Sequence, residues 1–360
     1  MNPTETRPRS GPSTASDLPA TRLTTADGSL SVRRAWPVPG SDPHTLAIEL
    51  DDADTIRAGW WSADKLRLLD AGEDPKLAAL AAAAQQGTVI SHRPGKRAVV
   101  RSSDDARYVK VVKAGKAGSI LDGVRRAAAF SGPFRTPEVL GSTESTVTFA
   151  ALEGQSLHEA NTFTADQWRT AWLAVCAAWE ESVAEPRSTA ASAPVRQSGL
   201  IHRAEAEIAV LRHWYQLARP WLSDEEQAHQ SVEHLAELLA SLPQEQLRPA
   251  HRDLHDKQLL WSAQAGPGLL DVDTACLADP ALDLGNLRAH ALLRRRQGVW
   301  TAEQAETVTF CVDETAQRIG APMPTVAVYE QSALLRLGFV YAVRPQYARV
   351  AEQLRELIRA

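Results

Sequence analysis

The chain has 360 residues, of which 23% are charged and 44% hydrophobic, with a formal net charge of -5. This is globular usage with room for two lobes, and the mild acidity argues against a polyanion such as nucleic acid as partner. Cys176, Cys276 and Cys311 lie far apart without CxxC spacing and read as reduced, buried thiols of a cytoplasmic protein, and no apolar run reaches the length of a membrane span.

In chain order, residues 1–22 are rich in Pro, Ser and Thr and read as a flexible tail. Short apolar or alternating runs follow, "SLSVRRAWPVPG", "HTLAIELDD", "TIRAGWWS" and "KLRLLD", separated by turn residues; these are expected strands of a β-rich extension over 23–87. On such a strand Trp60 and Trp61 must point to opposite faces. "DPKLAALAAAAQQG" reads as a helix capped by Asp74, with Pro75 at the first helical position and Gly87 at the stop. A second strand series, "TVIS", "RAVVR" and "RYVKVV", follows around the turns "HRPGK" and "SSDD". "GSILDGVRRAAAF" suits a short helix, and "PEVLG" and "TVTFAAL" two further strands, which closes a unit over 88–158.

From about Phe163 the period becomes helical, beginning with a helix whose Trp168, Trp172, Val175 and Trp179 share one face. Residues 186–199 read as a surface loop. Helices are expected near 200–219, 224–241, 283–298, 302–318 and 326–359, the last broken near Pro345. The short runs "QLLW" and "GLLDV" interrupt this helical region of 159–360 and predict a hairpin at the rim of a cleft.

Two acid-rich segments flank that hairpin, "HRDLHDKQLL" and "LLDVDTACLADPALDLGNL", with Asp271 eighteen residues after Asp253. Gln258 follows Asp253 by five residues, the spacing of a kinase catalytic loop with glutamine at the asparagine position, where it keeps an amide oxygen. Phosphoryl transfer needs a carboxylate for the nucleophile's proton, oxygen ligands for a metal ion and positive charge on the phosphates. Asp253, Gln258 and Asp271 supply the first two.

These residues resemble the aminoglycoside phosphotransferase and choline kinase-like group of the protein-kinase-like fold, whose patterns are H-x-D-L-H-x-x-N-x-L and I-D-x-D/E-x-x-x-x-G-D-P-x-x-D-L-A. The resemblance covers roughly Thr88 to the end and is strongest over 251–287. It implies an α+β, bilobal fold with a β-rich N-lobe and a helical C-lobe, the extra β-rich segment preceding them. It implies an ATP- and Mg²⁺-dependent kinase for a small-molecule hydroxyl acceptor, with Asp253 as catalytic base, Gln258 and Asp271 as metal ligands, Asp273 as a further metal contact, and His251 and Asp283 bracing the loop. Asp279 is read as structural, at the start of the following helix.

By the same resemblance Lys110, preferred over Lys113, reaches the nucleotide phosphates, and the turn "SHRPGKRAVV", with Gly95 among His92, Arg93, Lys96 and Arg97, covers them. Asp122 is the one carboxylate available to pair with the lysine, since Arg125 and Arg126 stand where glutamate is expected. Backbone groups from Ala151 to Glu153 would bond adenine, and Gly154 lets the chain turn into the helical lobe. Beyond residue 283 the helices carry ten arginines against eight acids from Asp283 on, which points away from a polycationic acceptor and toward a neutral or anionic one. The glutamine at 258 resembles the sugar-kinase branch, such as maltokinases. Trp214, Tyr215, Trp221, Trp300 and Tyr341 read as core before sugar contacts. The competing class is a pseudokinase-like binding module, motivated by the missing helix glutamate and the sparse glycine turn. Oligomeric state is not legible.

Overall fold

A computed structural model describes residues 18–25, 28–40, 42, 44–52, 55–62, 65–184, 200–243 and 246–359. The loop expected at 186–199 and the tail up to residue 17 lie outside these. The fold engages the chain from Leu18, which packs on the first sheet, and strand β1 opens at Arg22.

The first sheet is an antiparallel meander of five strands in sequence order, β1 (Arg22–Thr25), β2 (Gly28–Pro37), β3 (Leu46–Asp52), β4 (Thr55–Ser62) and β5 (Lys65–Leu68). β3 is buried from Leu46 to Leu50. Trp61 enters the core, while Trp60 on the opposite face is stacked by the Arg67 guanidinium at 4.4 Å, as alternation requires. The helix expected from Pro75 is shorter than its sequence suggests, with α1 limited to Leu80–Ala84. The Asp74 carboxylate is drawn elsewhere: beyond the Lys76 N–H it binds His92 and the Gly95 N–H.

The second sheet is antiparallel, ordered β6 (Gly87–Arg93), β7 (Arg97–Ser102), β8 (Arg107–Val112), β10 (Thr146–Ala150), β9 (Val139–Ser142). Helix α2 (Ala117–Arg126) crosses from β8 to β9 and buries Ile120 with Val147 and Phe149. After the short β11 (Gln155–Ser156) come α3 (Ala165–Val183), α4 (Ala204–Ala218) and α5 (Glu225–Ala240). Thr164 and Gln167 form a reciprocal capping box at the start of α3. β12 (Arg248–Ala250) pairs with β15 (Cys276–Ala278), and the predicted hairpin is β13 (Leu259–Ser262) with β14 (Gly266–Leu269). The chain finishes with α6 (Ala281–Arg296), α7 (Ala302–Ile319), α8 (Met323–Ala342) and α9 (Ala348–Glu356), the break between the last two falling at Pro345 as expected. Trp168, Trp172 and Trp179 are fully buried in the largest core, and Trp300 meets Trp168 and Trp172 edge-to-face. Cys176, Cys276 and Cys311 are free and buried. Among the described residues no helix is long and apolar enough to cross a membrane.

The meander touches both lobes. Ile56 shares a core with Leu77, which precedes α1, and with Val89 and Val111 of the second sheet, whereas Leu46, Ile48 and Trp61 share one with Trp221 and Val343 of the helical lobe.

Candidate active site

The loop between β12 and β13 carries Asp253, and its shape is imposed from beneath by α6. Asp283, fully buried, accepts the His251 N–H on Oδ2 at 2.8 Å, the Arg252 N–H on Oδ1 at 2.8 Å and the Trp179 indole N–H at 3.2 Å. Burial pushes its carboxyl above the usual range while His251 pulls the other way. One carboxylate thus satisfies two successive amides and holds Arg252 at φ 71, a conformation a non-glycine residue rarely keeps unaided. His251 Nε2–H donates to the Leu270 carbonyl at 2.9 Å, which fixes the ring against the chain leading to Asp271. Asn286 donates to the Leu254 carbonyl at 2.8 Å and completes the support from α6. Asp279 accepts the Ala281 N–H at 2.8 Å at the start of that helix, in keeping with the structural role expected of it.

Asp253 itself projects from this braced loop with nearly half its side chain exposed, at 46%, and the His255 Nε2 lies 3.9 Å from its carboxylate. Across the cleft, Lys110 of β8 reaches Asp271 at 2.5 Å and Asp273 at 2.9 Å. Burial alone would lower the Lys110 ammonium, but the two carboxylates outweigh it and raise it. Burial likewise works against Asp271, yet Lys110 and Arg97 bring it to about 2, so that carboxylate stays ionised; Asp273 is raised, chiefly by its burial. Asp271 sits in the left-handed region at φ 54, strained backbone of the kind that collects at functional sites. The Gln258 amide lies 3.5 Å from the second Asp271 oxygen and 3.4 Å from His255. Asp253, Gln258, Asp271, Asp273, His251 and Lys110 are therefore gathered in one place. β8 ends before Lys113, which takes no part.

Three expected roles meet a different geometry. Asp122 is exposed on α2 and pairs with Arg125 of the same helix, not with Lys110. The reason is the close seat of α2: a Cβ on Gly123 would come within 2.5 Å of the Asp273 backbone, so the face nearest the lysine has no room for a carboxylate side chain. Asp273 takes the second place beside Lys110 instead. Gly95 has the φ of +64 that its turn needs, but its N–H already donates to Asp74 at 2.6 Å. At the hinge the Ala151 N–H donates to the Ala106 carbonyl and the Glu153 carbonyl accepts from Arg135, which leaves the Ala151 carbonyl and the Glu153 N–H for a ligand. Gly154 is at φ +135 with the Trp261 carbonyl 2.9 Å from where a Cβ would stand, so glycine is required there.

Sequence reasoning missed Asp256, the most heavily used acid near the loop. It is fully buried, receives the Arg294 guanidinium at 2.9 Å and His158 at 2.6 Å, and lies close to His255 and His290, whose rings stack at 4.4 Å. Burial would raise its carboxyl, but Arg294 and the histidines hold it well below the usual range. Burial and His255 push His290 down to about 3, so it is neutral. Its adjacency to the catalytic-loop motif was the available signal, obscured because three of its partners, at 158, 290 and 294, are remote in sequence.

The family model of the "Phosphotransferase enzyme family" matches residues 96–310, more than half of the chain. The chain belongs to the phosphotransferase enzyme family. No curated protein matches it by sequence. Among solved structures it is similar to aminoglycoside phosphotransferase APH(3'')-Id from Streptomyces rimosus, with 21% identity, a TM-score of 0.52 and coverage of 74% of this chain and 96% of that one. It is also similar to aminoglycoside 2'-phosphotransferase-IIIa in its GDP complex, with 15% identity, a TM-score of 0.54 and coverage of 79% and 98%. A third is APH(2'')-IIa in a ternary complex with streptomycin and ATP, at 11% identity, a TM-score of 0.51 and coverage of 79% and 97%. At these identities the likeness is one of fold, and it confirms the bilobal, kinase-like α+β architecture. The phosphotransferase family match ends short of the first sheet, which begins at β1 and finishes at β5, before residue 96.

Proposed function

We propose that this phosphotransferase transfers the terminal phosphoryl group of ATP, with Mg²⁺, to a hydroxyl of a small molecule, sugar-like in the first instance. The observation that carries the reading is the union of the Lys110–Asp271 pair at 2.5 Å with an unencumbered Asp253 carboxylate on the opposing, rigidly braced loop. Residues 88–158 would act as the nucleotide lobe and 159–360 as the acceptor lobe, with 23–87 as a cap.

The donor set fits a hard cation. Asp271 and Gln258 offer oxygens side by side, and Asp273 Oδ1 is buried without a hydrogen-bond partner. Mg²⁺ held there would neutralise phosphate charge. Lys110, freed from one of its two carboxylates, would bind the nucleotide's inner phosphates, and Arg97, whose charge already reaches Asp271 and Asp273, would add to it. The Ala151 carbonyl and Glu153 N–H would take the adenine edge, and Gly95 would shape the covering turn while its own amide serves Asp74. Asp253 would accept the acceptor's proton as its oxygen attacks in line with the bond that breaks. Asp122 would have no part in nucleotide binding.

The competing reading, a module that binds nucleotide without turnover, is favoured by the engaged Gly95 amide. Release of nucleoside diphosphate from ATP and Mg²⁺, screened over neutral sugars, amino sugars, aminoglycosides and choline, separates the two. Acceptor-dependent release that disappears in Asp253→Ala supports the kinase. Release that survives in that variant would refute Asp253 as base, and nucleotide binding without release over the panel favours the module.

A further inference from the structure

In the second sheet β6 is an edge strand, so one side of its backbone has no neighbouring strand to pair with. The first sheet supplies side chains in its place. Arg33 Nη1 donates to the Ile90 carbonyl at 2.8 Å, and the Glu49 carboxylate accepts the His92 N–H at 2.6 Å and the Ser91 hydroxyl at 3.0 Å. Asp74, between β5 and α1, accepts the Gly95 N–H at 2.6 Å and meets His92 Nε2 at 3.0 Å. Both acids are buried, Glu49 completely. The end of β6 and the turn after it are thus held at Ile90, Ser91, His92 and Gly95 by residues that precede the nucleotide lobe.

Between those points lies Arg93, whose guanidinium sits over the ring of Trp36 on β2 at 5.2 Å. Strand register decides which way Arg93 faces. It is opposite Arg97, Arg97 is opposite Val112, and Lys110 stands two residues before Val112 on β8. Cross-strand partners share a face, as do residues two apart, so Arg93, Arg97 and Lys110 stand on the face from which Lys110 reaches Asp271. His92, Ala98 and Val111 take the other face, where Ala98 and Val111 join the core shared with Ile56. Stacking on an indole engages the flat side of a guanidinium and leaves its edge N–H groups for an anion.

We infer that Trp36, Glu49 and Asp74 are positioning residues: they hold the β6–β7 turn in one shape before nucleotide arrives and present the Arg93 guanidinium, beside Arg97, to the nucleotide's phosphates. The inference rests on the proposed nucleotide site and deepens it. Because the Gly95 amide serves Asp74, this turn meets phosphate with side chains in place of main chain. Because the turn is already fixed, little freedom is lost when the nucleotide binds.

Amide hydrogen exchange on the full chain reads the clamp. The His92 and Gly95 amides should be protected without nucleotide and change by less than about twofold when Mg²⁺ and a non-hydrolysable ATP analogue are added. Protection at Gly95 should fall in Asp74→Ala, and at His92 in Glu49→Ala, while the amides of α3 keep theirs. Fast exchange in the free parent chain that slows on adding the analogue would make the turn a mobile flap and overturn the clamp. Binding of the analogue reads the aim of Arg93. Trp36→Leu and Arg93→Gln should each weaken it by about fivefold while adenosine holds within about twofold, and Trp36→Phe should restore most of the loss. The double variant of Trp36→Leu with Arg93→Gln should bind no worse than Arg93→Gln alone. Losses that add, or that fall equally on adenosine, would overturn the role of Trp36. This pattern without diphosphate release for any acceptor would defeat kinase turnover and leave the inference standing, whereas a parent chain that binds no nucleotide overturns both.

Discussion

Lys110 meets two carboxylates from one short segment, Asp271 at 2.5 Å and Asp273 at 2.9 Å, and each of the three is partly buried. Removing one acid should therefore leave the lysine aimed but less firmly held. Asp273→Asn is expected to raise the KM for nucleotide several-fold, whereas Asp122→Ala, on the exposed side of α2, should change kinetics less than twofold; steady-state rates at varied nucleotide check both. Gly123→Ala should act like a site mutation, because the added methyl must displace the Asp273 backbone that it would approach at 2.5 Å. The pair also has an acid signature. Asp271 is brought from 3.8 to about 2, burial being outweighed by Lys110 and Arg97, so its contribution is complete above the unfolded value and is lost as pH falls toward the folded one. Thermal unfolding followed from about pH 4 down to about pH 2 should be less steep in Lys110→Met than in the parent chain.

Asp256 ties a loop to a helix, and its energetics belong to that scale. Asp256→Ala would strand the Arg294 guanidinium in a fully buried site, a change that costs roughly 3–5 kcal/mol and should appear as a lower urea midpoint. α6 and α8 meet at the same place, where Arg294 Nη1 lies 3.4 Å from the Tyr341 hydroxyl. Burial raises that phenol, but Arg294 and Arg344 outweigh it and bring it from 10.0 to about 7. A depressed acid stabilises the fold where it is ionised, so this contribution should grow as pH rises through about 7 and be absent below; tyrosinate absorbance near neutrality, abolished in Tyr341→Phe, reads it directly. Elements of this kind were legible unevenly. The long helices announced themselves by period and by caps such as Thr164 and Thr301, and the catalytic loop by the spacing of Asp253, Gln258 and Asp271. Asp74 looked like a helix cap but serves the β6–β7 turn, and Asp122 looked like the lysine's partner, because pairings across 21 and 161 residues are decided by packing that no local pattern encodes.

At the scale of the whole molecule, the first sheet has no core apart from the lobes it touches. Its apolar face is completed by Trp221 and Val343 from the helical lobe, and Ile56 by Leu77 and Val111 from the nucleotide-lobe side. Polar ties run the same way: Arg33 donates to the Ile90 carbonyl, Glu49 accepts from His92, and Gln346 donates to the Arg33 carbonyl. A sheet sharing side chains with two lobes couples their unfolding, since exposing its face strips apolar cover from both. Calorimetry should accordingly show one transition for the full chain. Trp61→Ala removes a side chain that is 5% exposed and packs against Trp221 at 6.2 Å. It should cost roughly 3–5 kcal/mol and lower that single transition as a whole. A separate early transition assigned to the sheet, with the main one unmoved, would mean that the two lobes hold together without it.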